Sequence, residues 1–152
     1  MTTMLFIHGF LDDETVWDDV DAALPADVKT VRYQLPGFGS RVAEGSTDIT
    51  LAALADEAAA LIAGADSGVT VVGQSMGSQI AELVAISHAE QVTGGVLITP
   101  VPLGGTRLGP AEAAPFRGLG GDPGAARAAR TQLSPSLTEE QLDRLTSAGA
   151  SA

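Results

Sequence analysis

The residues best suited to chemistry in this 152-residue chain form the pentapeptide GQSMG at positions 73–77. It follows a short apolar run and precedes a stretch of helical character. A serine in a sharp turn from strand to helix has a strained backbone and a hydroxyl raised off the sheet edge, where it can attack a carbonyl carbon. Strand and helix pass so close at such a turn that only glycine fits two residues before and after the serine. The pattern predicts Ser75 as a nucleophile, with Gly73 and Gly77 supporting the turn.

The helix that follows this turn would assist the same reaction. Its first main-chain N–H groups and the positive end of its dipole would face a developing oxyanion. The alternative is that the two glycines only allow a tight turn and that Ser75 is a polar residue without a chemical role.

Two further motifs occur before this turn. The apolar run 4–7 predicts a buried strand that ends in the tripeptide His8-Gly9-Phe10, and an acidic loop follows it. After the next predicted strand comes the loop LPGFGS at positions 35–40.

With these motifs the chain resembles the α/β-hydrolase family over about residues 3–103, because all three occur in the right order and at sensible spacing. Gln34 stands where the family pattern usually has Asp. The resemblance implies an oxyanion hole made by the main-chain N–H groups of Phe10 and Met76, with His8 and Gly9 supporting the turn. It also implies a small-molecule substrate, expected to be an ester, and neither a metal nor an organic cofactor.

The family also places an Asp or Glu and then a His after the serine, and no residue here matches those positions. His88 lies 13 residues further along the same predicted helix, roughly 20 Å away, and is expected to end that helix. His8 is expected to brace the oxyanion turn rather than to act as the base, and the acidic residues 12–14 to be charges at the start of a helix. The base and acid would then come from residues not in this chain, which we interpret as an amino-terminal portion of a hydrolase or a truncated relative.

The elements that must position these groups alternate along the chain. We predict four strands, at about 4–7, 29–33, 69–72 and 95–99, and between them helices at about 15–24, after Thr50 and at about 76–88. Such alternation predicts an α/β fold with a parallel sheet covered by helices on both faces. Active sites of open α/β sheets lie at the carboxyl ends of the strands, where His8, Phe10 and Ser75 all fall.

The composition changes after Pro100, and we place the boundary between a core at 1–103 and a helical segment at 104–152. Helices are predicted at 110–117, 123–133 and 138–145, and the last begins with a capping box made by Thr138 and Gln141. By resemblance this segment is the first part of a helical lid over an apolar pocket, whose candidate residues are Phe10, Phe116 and Leu119. The alternative is a set of surface helices without a gating role.

Charge and composition exclude several classes. The net charge of −11 argues against binding to nucleic acid or to an anionic membrane surface. The absence of cysteine excludes disulfides, thiolate metal sites and a cysteine nucleophile. No stretch has the length and apolarity of a membrane span, so a cytoplasmic location is expected. The strand near 95–99 should be an open sheet edge through which the chain could self-associate.

Taken together, the serine turn and the resemblance to the α/β-hydrolase family predict a serine hydrolase that acts on a carboxylic ester or a related acyl bond. A serine nucleophile speaks against haloalkane dehalogenases and epoxide hydrolases of the same fold, which use Asp. Two alternatives stay open: a catalytically inactive binding protein that keeps the turn for its shape, and a relative of cofactor-free haloperoxidases, which share the Ser-Met-Gly context.

Overall fold

A parallel β-sheet forms the centre of the molecule. The computed structural model describes residues 2–46, 48–66, 68–117, 119 and 121–149. The sheet has the order β2-β1-β3-β4, and all its pairings are parallel. Its strands are β1 (Thr2–Ile7), β2 (Val28–Tyr33), β3 (Val69–Gln74) and β4 (Val92–Ile98). The four predicted strands and the α/β class are therefore confirmed.

The main difference from the predicted strands concerns β4, which begins at Val92 rather than near residue 95. Gly94 and Gly95 have low strand propensity, and for that reason the sequence pattern leaves them out. In the sheet they pair with Thr70 and Val71 of β3, so pairing with a well-formed neighbour outweighs local propensity.

The helices follow the predicted order. They are α1 (Asp18–Ala23), α2 (Leu51–Ala60), α3 (Met76–Ser87), α4 (Pro110–Arg117), α5 (Pro123–Leu133) and α6 (Glu139–Gly149). Two 3₁₀ turns, Glu14–Trp17 and Gly39–Glu44, precede α1 and follow β2. The helix predicted at 15–24 thus starts as a 3₁₀ turn.

Two predicted helix starts are confirmed by their caps. The Thr50 hydroxyl accepts a hydrogen bond from the N–H of Ala53 at 3.2 Å, at the start of α2. At α6 the Thr138 N–H donates to the Gln141 side chain at 3.1 Å, and the Gln141 N–H donates to the Thr138 hydroxyl at 3.2 Å. This reciprocal pair satisfies two N–H groups that the helix itself leaves unbonded.

Both faces of the sheet are covered, as predicted. Alternate strand residues point to opposite faces, and one face buries Leu5, Ile7, Val69 and Val71 in a cluster with α2 and α3. On the other face Phe6 and Val72 pack on Trp17, whose ring centroid lies 5.0 Å from that of Phe6. Each such fully buried side chain stabilises the fold by about 1.5–3 kcal/mol.

The fourth strand forms one edge of the sheet in the described part of the chain, since it pairs there with β3 alone. Its residues Val96, Leu97 and Ile98 are 45 %, 42 % and 40 % exposed. The predicted open, apolar edge is therefore present.

The helices after β4 pack against the amino-terminal part of the chain. Helices α5 and α6 contact each other, and α6 also contacts the turn Glu14–Trp17. Arg144 of α6 forms ion pairs with Asp18 and Asp19 of α1 at 3.4 and 2.9 Å. Among the described helices, none has both the length and the apolar character needed to cross a membrane.

Candidate active site

Ser75 lies at the junction of β3 and α3 with φ 51° and ψ −119°. Positive φ is costly for a residue with a side chain, and such strain persists only where neighbours hold it. The Ser75 N–H donates to the carbonyl oxygen of Ile98 at 2.9 Å, and the Ser75 carbonyl accepts from the hydroxyl of Ser78 at 2.5 Å. Its own hydroxyl has no hydrogen-bond partner among the described residues. The strained turn is thus fixed at both ends while the hydroxyl stays unengaged.

The glycines around Ser75 stand where no side chain fits. A β-carbon on Gly73 would lie 2.3 Å from the carbonyl oxygen of Gly77, so strand and helix touch there. A β-carbon on Gly77 would lie 2.4 Å from the carbonyl oxygen of Ile7 and 2.5 Å from that of His8. Position 77 therefore requires glycine because the end of β1 lies against it, and not because of the preceding strand β3. This contact is visible only in the folded sheet.

The loop from Gly9 to Asp12, called here the Gly9–Asp12 loop, lies against Ser75. A β-carbon on Gly9 would stand 3.1 Å from Cβ of Ser75. The main-chain N–H groups of Phe10 and Met76 form no hydrogen bond to any described residue. Two unengaged N–H groups therefore lie close to the serine, one in the loop that contacts it and one on the residue that follows it.

His8 is completely buried beneath this loop. Its Nε2 accepts from the N–H of Leu35 at 3.1 Å and from the side-chain amide of Gln34 at 3.2 Å, so Nδ1 carries the proton and donates to the Gly9 carbonyl at 3.0 Å. Burial lowers the pKa of His8 from its ordinary value, outweighing the opposite effects of the Gly9 carbonyl and Asp13. With its acceptor nitrogen occupied, the ring braces two loops and is not free to take a proton from Ser75.

Gln34, which stands where the family pattern usually has Asp, forms hydrogen bonds to the same two loops. Its side-chain oxygen accepts from the N–H of Glu14 at 2.9 Å, and its amide nitrogen donates to the Phe38 carbonyl at 3.0 Å. An amide supplies both a donor and an acceptor, whereas an ionised carboxylate can only accept. The hydrogen bond that the Gln34 side chain donates to Nε2 of His8 therefore requires an amide at this position, which Asp could not provide.

The acidic residues that follow the loop differ in their environments. Asp13 caps the turn Glu14–Trp17, since its carboxylate accepts from the N–H of Thr15 at 2.9 Å. The prediction of a helix-start charge is wrong for Asp12, which is 3 % exposed and pairs with Arg130 of α5 at 2.7 Å. Burial raises the pKa of Asp12 despite the opposing effect of Arg130. Sequence reasoning missed Arg130, because the two residues lie 118 positions apart and no local pattern joins them.

His88 is the C-cap of α3, and its N–H donates to the carbonyl of Val84. The helix has 12 residues, so His88 lies about 18 Å along the axis from the end that carries Ser75. The expected helix-end position is confirmed, and neither histidine of the chain is placed to serve Ser75 as a base.

Two cavities are each lined by one of the residues with an unengaged N–H, Phe10 or Met76. A cavity of about 450 Å³ is lined by Phe10, Leu108, Ala113, Phe116 and Arg117. It includes the predicted pocket residues Phe10 and Phe116 but not Leu119. A second cavity, of about 320 Å³, lies beside Met76 and is lined mainly by apolar residues of the loop after β2 and of α2.

A metal site is not formed by the acidic residues and histidines near Ser75. Within the described ranges, no group of three or more His, Asp or Glu side chains is arranged to hold an ion.

Two curated relatives resemble parts of this chain. Pimeloyl-[acyl-carrier protein] methyl ester esterase of Aeromonas hydrophila subsp. hydrophila is 27 % identical over 99 residues, covering 65 % of this chain and 38 % of the relative. The 2-succinyl-6-hydroxy-2,4-cyclohexadiene-1-carboxylate synthase of Enterobacter sp. (strain 638) is 35 % identical over 98 residues, covering 60 % of this chain and 34 % of the relative. The matched region thus spans little more than a third of either relative.

Solved structures with the same fold cover almost all of this chain. A hydrolase from Oleispira antarctica has a TM-score of 0.76 at 18 % identity, over 98 % of this chain and 60 % of that one. A thermophilic esterase from Thermogutta terrifontis has a TM-score of 0.70 at 22 % identity, over all of this chain and 61 % of that one. This chain therefore spans about three-fifths of the length of these structures.

The sequence model described as the alpha/beta hydrolase family matches residues 4–150. The match includes the serine turn, the Gly9–Asp12 loop and the helices after β4. Because it extends over nearly the whole chain, the protein belongs to the α/β-hydrolase family.

Proposed function

We propose that the protein hydrolyses carboxylic esters or related acyl bonds, with Ser75 as the nucleophile. The observation that carries this proposal is the position of Ser75: a strained turn, an unengaged hydroxyl, and the Gly9–Asp12 loop in contact with it. In such a reaction the Ser75 oxygen bonds to the substrate carbonyl carbon and its proton passes to a base. The alcohol then leaves, and water releases the acid from the acyl-enzyme.

The negative charge that develops on the substrate carbonyl oxygen would be held by the N–H groups of Phe10 and Met76. Removal of one such donor typically lowers kcat by about 10²- to 10³-fold. The first turn of α3 adds the positive end of its dipole on the same side. Gly73, Gly77 and Gly9 would act by letting the backbone approach closely enough for this geometry, and His8 by bracing the loop.

The two cavities support a substrate with apolar groups on both sides of the acyl bond. Both are lined mainly by apolar side chains, and one lies beside Phe10 while the other lies beside Met76. An ester bound at Ser75 has two arms, and we propose that each cavity takes one apolar arm. The esterase names of one curated relative and one solved structure agree with this class. Helices α4 to α6 would then serve as part of a lid that excludes water.

Neither histidine supplies the base that this mechanism needs. The acceptor nitrogen of His8 is occupied and His88 lies at the opposite end of α3. We propose that the base and its orienting acid come from residues outside these 152. The same observation favours the second candidate, a non-catalytic binding protein in which the serine turn is kept for its shape.

A fluorophosphonate probe separates the two candidates, since it reacts only with an activated serine. The complete gene product is treated with the probe and digested, and the modified peptide is identified by mass spectrometry. We expect a single adduct on Ser75, absent in Ser75→Ala and retained in Ser87→Ala, which changes an exposed serine of α3. No adduct, or an adduct on another serine, would favour the binding protein.

A further inference from the structure

Arg130 reaches from α5 to the Gly9–Asp12 loop. Its Nη2 donates to the main-chain carbonyl of Leu11 and to the carboxylate of Asp12, each at 2.7 Å. The Arg130 side chain is 14 % exposed and that of Asp12 is 4 % exposed. This contact is therefore a largely buried one, in which a single donor group holds both the backbone and a side chain of the loop.

The loop has little within itself to fix its shape. Leu11 has φ 64°, a conformation that is costly for a branched side chain. The internal hydrogen bond, from the Asp12 N–H to the Gly9 carbonyl, is long at 3.3 Å. Before Phe10 the loop is held by the His8 ring through the Gly9 carbonyl, and after Phe10 it is held by Arg130.

Phe10 thus lies between two anchored points, and its N–H is one of the two that the proposed mechanism directs at the oxyanion. A donor that is free to rotate stabilises a transition state less than one fixed in advance. The side chain of Phe10 adds little restraint, since it is 38 % exposed and its ring contact with Phe38 is edge to face at a centroid distance of 6.1 Å.

We propose that Arg130 is a positioning residue, which fixes the Phe10 N–H by holding the Leu11 carbonyl and the Asp12 carboxylate. Packing of α5 against the loop would then be required for full catalytic activity. Helix α5, as part of the proposed lid, would therefore regulate the site as well as cover it. This inference rests on the proposed function of Ser75 and Phe10. Other charged or polar groups near the Asp12 carboxylate are Asp13 and the side chain of Gln74.

The kinetic test uses Arg130→Met in the complete gene product, with Arg127→Met as the matched control. Arg127 lies on the same helix but pairs with Glu139 and Asp143 at the surface. A misplaced group in an active site can cost up to about 100-fold in rate, so we expect Arg130→Met to lower kcat by about tenfold or more. KM should stay within about twofold, and Arg130→Lys, which keeps a donor, should recover part of the lost kcat.

A double variant separates positioning from stability. Arg130→Met alone leaves a buried carboxylate without its partner, which destabilises the fold, whereas Asp12→Asn with Arg130→Met removes that charge. We expect the double variant to regain thermal stability but not kcat, because the Leu11 carbonyl still lacks its donor. Recovery of both quantities would show that Arg130 contributes stability alone and would overturn the inference.

Amide hydrogen exchange of the peptide that contains residues 9–12 gives a readout that does not depend on turnover. Exchange should be faster in Arg130→Met than in wild type and unchanged in Arg127→Met. Equal exchange in wild type and Arg130→Met would overturn the inference even if Ser75 proves catalytic. Faster exchange in a protein without Ser75-dependent turnover would support the loop contact and contradict the proposed function instead.

Discussion

Gly9 lies directly against Ser75, so that a β-carbon on Gly9 would stand 3.1 Å from Cβ of the serine and 3.0 Å from the carbonyl oxygen of Gln74. These separations are tighter than ordinary van der Waals contacts but could be relieved by a shift of a few tenths of an ångström. The contact joins the loop after β1 to the turn after β3. The distance between the serine oxygen and the Phe10 N–H therefore depends on the size of residue 9.

Gly9→Ala should reduce activity more than stability. The added methyl group would push the Gly9–Asp12 loop away from Ser75, and we expect kcat to fall by about tenfold or more while the protein stays folded. Gly64→Ala is the control, because a β-carbon there meets nothing within 4 Å. Steady-state kinetics and thermal unfolding of both variants provide the measurement. Equal kcat values for the two variants would contradict the assigned loop contact.

Gly77→Val should prevent folding. Its β-carbon would lie 2.4 Å from the main-chain oxygen of Ile7, which belongs to a central strand and cannot move aside. We expect destabilisation of about 3 kcal/mol or more, seen as insoluble protein or a much lower thermal midpoint. Gly94→Val on β4 is the matched change, since the nearest atom to its β-carbon is at 3.5 Å. Similar thermal midpoints for the two variants would be inconsistent with the packing described.

The buried His8 should make stability depend on pH. Its pKa is lowered by burial, so between the ordinary value of 6.5 and the folded-state pKa the unfolded chain binds the proton and the folded chain does not. Stability is therefore retained above pH 6.5 and lost as the pH falls below it, by at most about 1.4 kcal/mol per pH unit.

Urea unfolding at several pH values between about 7.5 and 5.5, above the range where most carboxylates titrate, measures this effect. The comparison is with His8→Gln, which keeps an acceptor for the Leu35 N–H but cannot titrate. Wild type should lose more stability than this variant as the pH falls. Parallel pH profiles would mean that His8 is not held neutral by burial.

The open edge of the sheet should cause residues 1–152 to self-associate when purified alone. An unpaired strand offers N–H and C=O groups to a second chain, and Val96, Leu97 and Ile98 add apolar surface. Sedimentation velocity should show oligomers whose fraction rises with concentration and falls in Val96→Lys. Leu133→Lys, which changes an isolated apolar residue that is 79 % exposed, should leave association unchanged. A wild-type chain that stays monomeric would rule out association through β4.

The sequence predicted the order of strands and helices because each element carries its own signal. Apolar runs mark the strands, Thr50 and Thr138 mark helix starts, and the serine turn is a local pattern with a steric cause. Helix and strand ends were less well predicted, as at Gly94 and Gly95, where a neighbouring strand decides the pairing.

The contacts that brace the candidate site could not be predicted in the same way. The pairing of Asp12 with Arg130 depends on how α5 packs, and the hydrogen bonds of Gln34 depend on where His8 and Glu14 come to lie. Such contacts join positions that are far apart in the chain, and no spacing rule encodes them.

Replacement of the serine itself tests the central claim most directly. Initial rates of p-nitrophenyl ester hydrolysis by the complete gene product are compared for wild type, Ser75→Ala and Ser87→Ala. Loss of a nucleophile can cost on the order of a million-fold in kcat, so Ser75→Ala should show no turnover above background with an unchanged thermal midpoint, and Ser87→Ala should match wild type. If Ser75→Ala instead keeps more than about a tenth of the activity, a loss of only about 1.4 kcal/mol in barrier, Ser75 is not the nucleophile.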